Sequence, residues 1–188
     1  MQMIEGSYSV QRQFLPSLEQ VSQLPRLVSV KVTPDWIDVN GHMNIRHYLE
    51  IGSKTTVAGV QSCGIDQLYR DEQRASIFDA ETHIRYLNES HIGDELTGHL
   101  RFVDVGPKSL HTVVLVVDYQ REVLVNVYES LGIHVNMETR RATNFPDHIF
   151  KNMEMKVQED LLLDWLPPVS DSLEVRGGIR AVQTQAAR

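Results

Sequence analysis

Residues 45–64 read IRHYLEIGSKTTVAGVQSCG, and the fold turns on this stretch. Ile45, Tyr48, Leu49, Gly52, Thr56, Gly59, Val60 and Cys63 recur at steps of three and four, which puts them on one broad helical face. Gly64 supplies a natural C-terminal stop. Each interior glycine costs a helix about 1 kcal/mol against alanine. Two of them on the buried stripe imply a helix pressed close against something flat, most simply a sheet.

Working outward, Leu27–Val32 alternates as a strand that Pro34 ends. Ile65–Glu72 reads as a short second helix, and from Ser76 the period changes to two. Ala80, Thr82, Ile84 and Tyr86 alternate with Asp79, Glu81, His83 and Arg85, and Leu96, Gly98, Leu100 and Phe102 continue after a Gly93-Asp94 turn. Gly106-Pro107-Lys108 is a turn, Ser109–Tyr119 a nearly continuous apolar strand, and Val123 to about Asn136 the last strand. Short connections imply antiparallel pairing, so the reading is α+β: a five-stranded antiparallel sheet wrapped around one long central helix.

Pro146–Gln158 reads as a further helix and Leu161–Pro168 as an apolar plug. The expected organisation is an N-terminal extension over 1–26, the α+β domain over 27–146, a C-terminal helix and plug over 147–168, and a mobile polar tail over 169–188. A single helix covers one sheet face only. The other carries apolar residues too, and a partner subunit is the simplest cover, hence a homodimer or homotetramer.

The formal net charge of -7 over 188 residues lacks the electrostatic footprint of a nucleic-acid binder. Val113–Val117 is the longest aliphatic run, too short for a membrane span. The opening MQMIEGSYSVQRQ has no signal-peptide pattern, and the one cysteine, Cys63, leaves no intrachain disulfide, so the expected compartment is the cytoplasm. Cys63 ends the helix stripe and reads as packing. No HExxH pair, Walker A, GxSxG or GxGxxG occurs, and no metal or cofactor is expected.

The densest polar cluster is Asp38-Val39-Asn40-Gly41-His42-Met43-Asn44, just ahead of the helix. Asp, Asn and Gly are ordinary turn and N-cap residues, so a turn explains the cluster as well as chemistry does. An EF-hand is excluded, because with Gly41 in the glycine slot the terminal ligand positions become Trp36 and His47.

The segment WIDVNGHMNIRHYLEIG over 36–52 resembles the corresponding motif of hotdog-fold acyl-CoA thioesterases of the 4-hydroxybenzoyl-CoA thioesterase type. HIRYLNESHIGDEL over 83–96, VGPKSLHTVVLVV over 105–117 and LGIHVNMETRRATNFP over 131–146 resemble the same family in the same order. The resemblance implies a hotdog fold, thioester hydrolysis, CoA as part of the substrate, and Asp38 at the family's catalytic aspartate.

The chemistry suits that position. A thioester needs a carboxylate to activate water or attack the carbonyl, and donors aimed at the oxyanion. The helix start near Met43–Arg46 offers backbone N–H groups and a positive dipole end. Asn40, His42 and Asn44 are candidates to orient water or fix the loop; Gly41 leaves room for substrate, and Met43 and Tyr48 wall the acyl group. Glu81 and Glu129 are possible auxiliary carboxylates, Glu129 because it interrupts an apolar stripe. The basic residues Arg85, Lys108, Arg140 and Arg141 are candidates for CoA phosphates.

VTPDWIDVNGH over 32–42 also resembles the opening of betainyl-CoA thioesterases. Trp36, Phe78, Tyr86 and Tyr128 are then candidates for an aromatic cage around a quaternary ammonium, with core packing as the alternative. Two other functions stay open. Hotdog enoyl-CoA hydratases place a histidine five residues after the aspartate, whereas His42 follows Asp38 by four. A non-catalytic acyl-CoA-binding module is the third reading.

Overall fold

The computed structural model describes residues 15–170 and 172–179. Its elements follow the sequence reading closely: β1 Arg26–Lys31, α2 Ile45–Ser62, α3 Gln67–Gln73, β2 Ala75–Tyr86, β3 Glu95–Val105, β4 Ser109–Asp118, β5 Val123–Asn136 and α4 Asp147–Leu161. Three short elements are additional, a helix α1 at Leu18–Ser22, a single 3-10 turn at Pro34–Trp36 and a two-residue strand β6 at Arg141–Ala142. The sheet is antiparallel throughout, in the order β1-β3-β4-β5-β2, with β6 paired to the end of β5.

The two helical glycines do what their position implies. A side chain at Gly52 would run into the Tyr128 ring on β5, and one at Gly59 into Leu100 on β3. Helix α2 therefore lies directly on the concave face, burying Tyr48, Ile51 and Val60 against Leu100, Val114, Val116 and Tyr128. Helix α4 extends the same layer with Ile149, Met153 and Val157. Cys63 caps α2 and is buried, with burial pushing its thiol pKa up.

Below α4, His134 donates from Nδ1 to the Thr143 carbonyl at 3.0 Å. A carbonyl can only accept, so the neutral ring accepts at Nε2 from the Tyr69 hydroxyl at 2.8 Å. Burial lowers the His134 pKa from the ordinary 6.5. The native state thus binds fewer protons than the unfolded one, and this stability is complete above about pH 6.5 and lost as pH falls below it. The expected result is a melting temperature that declines from pH 7 to pH 5, with a shallower slope in His134→Asn. Equal slopes in the two proteins would refute that role.

The convex face corrects one expectation. Val103, Val113, Leu115, Val117, Leu124 and Val127 are apolar there as foreseen, yet the chain covers them itself. Val21 and Leu24 around α1, and Trp165 from the segment after α4, complete this second core. Polar side chains on the same face hold the covering backbone. His99 Nδ1 bonds the Leu24 carbonyl at 3.1 Å, Arg101 the Trp165 carbonyl at 2.7 Å and Arg85 the Pro168 carbonyl at 2.5 Å. The Ser170 N–H donates to Glu129 at 2.8 Å. Residues 165–170 and 172–179 thus form a strap, and within it Leu173 and Val175 are buried, unlike the polar tail anticipated from residue 169. Residues 1–14, 171 and 180–188 of the two anticipated extensions lie outside the described residues.

Candidate active site

The segment between β1 and α2 builds a small hairpin. Ile37 bridges Met43, the Asp38 N–H donates to the His42 carbonyl at 3.0 Å, and Gly41 turns the chain with φ of 84°. Among the described residues, nothing stands within 4 Å of where a Gly41 side chain would begin, so the loop crest is open to them. Asp38 Oδ1 accepts the Asn40 N–H at 2.8 Å, an Asx turn that points the carboxylate along the loop. Asn44 is the N-cap of α2, its side chain accepting the Arg46 N–H at 3.1 Å.

These bonds thin the supply of oxyanion donors. Met43 N–H donates to the Ser90 carbonyl, Asn44 N–H to the Trp36 carbonyl and Arg46 N–H to the Asn44 side chain. Of the four amides Met43–Arg46, only that of Ile45 has no acceptor among the described residues. It sits at the positive end of an 18-residue helix.

Ile45 also lines a pocket of about 320 Å³ with His42, Met43, Tyr48, Tyr86 and Glu89. Tyr48 and Tyr86 meet edge to face, ring centroids 5.3 Å apart, and form an aromatic corner. Burial raises the Tyr48 pKa, which keeps the phenol neutral. The other rings anticipated for a cage are dispersed. Trp36 stacks on His47 at 4.3 Å, Tyr128 is core under α2, and Phe78 lies beneath the Arg140 guanidinium at 5.3 Å.

The auxiliary carboxylates are elsewhere. Glu129 is buried on the convex face, paired with His111 at 2.8 Å and with the strap, and these bonds hold its pKa below the usual carboxylate value despite desolvation. Glu81 makes an exposed ion pair with His83 at 3.5 Å. Arg85 is committed to the strap. Lys108, Arg140 and Arg141 lie at the opposite end of the sheet from Asp38, separated by the ten residues of β4, roughly 30 Å.

One site residue escaped the sequence reading. A bulge between Asp79 and Glu81 breaks the alternation of β2, so Asp79 turns toward α2 while Glu81 and His83 face outward. Asp79 Oδ2 accepts from the Tyr128 hydroxyl at 3.2 Å and lines a pocket of about 180 Å³ with Ser53 and Thr56. Burial raises the Asp79 pKa, and burial together with Asp79 pushes Tyr128 up to about 12. The signal was an aspartate where two in-phase strand residues were apolar.

The model of the thioesterase-like superfamily matches residues 32–160, a span that contains the hairpin, α2 and the whole sheet beyond β1. The chain belongs to this superfamily. A betainyl-CoA thioesterase of Pseudomonas aeruginosa is 27% identical over 135 residues, 71% of this chain and 84% of that protein. The L-carnitine dehydrogenase/betainyl-CoA thioesterase of Ruegeria pomeroyi is 34% identical over 129 residues, 68% of this chain. The chain spans only 26% to 31% of such two-activity relatives. Among solved structures, a Staphylococcus aureus protein determined with CoA superimposes with a TM-score of 0.71 at 23% identity, covering 81% of this chain and 97% of that one. Its likeness establishes the hotdog architecture. No helix of the described residues is long and apolar enough to cross a membrane.

Proposed function

We propose that the chain is an acyl-CoA thioesterase, with Asp38 as general base or nucleophile and the Ile45 N–H as an oxyanion donor. The observation that carries this reading is the juxtaposition just described. A hairpin holds the Asp38 carboxylate ahead of a helix whose first amide lacks an acceptor among the described residues, and His42 and Met43 of the same hairpin line a pocket sized for a small acyl group. Attack on the thioester carbonyl places negative charge on its oxygen, which the amide and the helix dipole stabilise, and CoA leaves as the thiolate. Asn44 fixes the helix start, and Asn40 and His42 shape the loop.

The acyl group is a small cation in this reading. Five relatives are named for betainyl-CoA, and the Tyr48–Tyr86 corner with Glu89 at the same pocket suits a quaternary ammonium. The working unit is a homodimer. Strand β2 is a twelve-residue edge without a partner on its outer side among the described residues, flanked by Ile45, Leu49 and Val57 exposed on α2. Isologous pairing of this edge brings the Arg140–Arg141 end of one subunit toward the Asp38 end of the other, so CoA phosphates and thioester are served by different chains.

A panel of acyl-CoA thioesters with thiol detection tests the reading. Betainyl-CoA is expected to turn over at least about 10-fold faster than 3,3-dimethylbutyryl-CoA, its neutral isostere. Equal rates would discard the cationic acyl group, and no hydrolysis of any thioester would discard the thioesterase.

A further inference from the structure

A second cavity, of about 450 Å³, opens on the convex face at the end of the sheet away from Asp38. Its floor is apolar, from Leu131, Ile133 and Ala142, and its rim carries Lys108, Glu174 and Arg176. None of these three charged groups makes an ion pair among the described residues. Both walls are held by the backbone. The Lys108 carbonyl accepts the His134 N–H at 2.8 Å and the Pro107 carbonyl the Phe145 N–H at 2.8 Å. Opposite them, the strap seats the Arg176 carbonyl and Val175 over Gly106, where no side chain intervenes.

We propose that this cavity is a subsite for an adenine nucleotide, with Lys108 and Arg176 on its phosphates, the apolar floor under the base and Glu174 accepting from its amino group. Each feature answers one part of that ligand. Two cations in fixed backbone settings suit a phosphate, Arg176 with a planar fork. An apolar floor suits a purine face, and an acidic group beside two cations is otherwise a poor design for an anion site. The volume is that of a small-molecule pocket. Glu174 and Arg176 lie beyond the residues 32–160 matched by the superfamily model, so the strap adds this subsite to the hotdog frame. The nucleotide is either that of CoA, which rests on the proposed thioesterase activity, or a free nucleotide acting as effector.

Calorimetric titration of the full chain with adenosine 3′,5′-bisphosphate, ADP and inosine 5′-diphosphate tests the subsite directly. Arg176→Ala and Lys108→Ala are each expected to weaken binding about 10-fold, since each removes a charge-assisted contact. The inosine compound, which lacks the amino group, is expected to bind more weakly than ADP, and Glu174→Gln to shrink that difference. Competition of adenosine 3′,5′-bisphosphate with acyl-CoA hydrolysis identifies the CoA source, and binding without competition identifies the effector; either supports the subsite. No binding at millimolar concentration, or binding unchanged in both cation variants, overturns it. Titration needs no turnover, so a chain that hydrolyses thioesters yet binds no nucleotide removes the subsite alone.

Discussion

Asp38→Asn is expected to lower kcat on acyl-CoA by about 100-fold or more, with little change in stability. The substitution removes the charge that activates water or attacks the carbonyl. It keeps the local structure, because the Asn side-chain oxygen can accept the Asn40 N–H just as Asp38 Oδ1 does. A residue serving only as a turn former tolerates the exchange, so a folded Asp38→Asn protein with undiminished turnover would remove Asp38 from the mechanism. The protein is to be checked by circular dichroism and by its elution volume, since the hairpin adjoins the exposed stripe on α2. Suspicion would then pass to Asp79, a carboxylate that lines a pocket against α2.

Trp165→Ala is expected to cost about 3–5 kcal/mol of folding free energy, the range for truncating a buried tryptophan. The indole is buried in the convex core, lies 4.1 Å from the Arg101 guanidinium and donates from Nε1 to Gln23 at 2.9 Å. Its loss empties the centre of the cover and unlinks the strap from α1. Arg101 keeps its bond to the residue 165 carbonyl but loses the ring above it. A lowered denaturation midpoint together with self-association by light scattering is the expected outcome, because a valine-rich face becomes exposed. An unchanged midpoint would show that the strap contributes nothing to the cover.

Much of the concave half was legible beforehand. The spacing of apolar residues from Ile45 to Cys63 and the two glycines on that stripe are consequences of helix period and close approach, and both are local properties. The hairpin cluster from Asp38 to Asn44 was found for the same reason. The convex half was not legible. Its cover comes from a five-residue helix and from residues after Leu161, segments too short or too irregular for periodicity to show what they bury. Arg85 and Glu129 read as a phosphate ligand and a catalytic auxiliary because their partners are backbone groups 83 and 41 residues away. The inward turn of Asp79 depends on a bulge, and one extra residue in a strand leaves no composition signal. The number of free amides at the helix start depended on bonds to Trp36 and Ser90 that only the folded chain makes.

The strap also sets an order of events in folding. Its anchors stand on β2, β3 and β5, which become neighbours only when the β1-β3-β4-β5-β2 order is complete. Each contact closes a loop of 41 to 83 residues, so none forms early on entropic grounds. During synthesis the strap leaves the ribosome after every strand it covers, and in that interval Val113, Leu115, Val117 and Val127 face water. The convex core therefore closes only once Trp165 arrives, later than the concave core around α2.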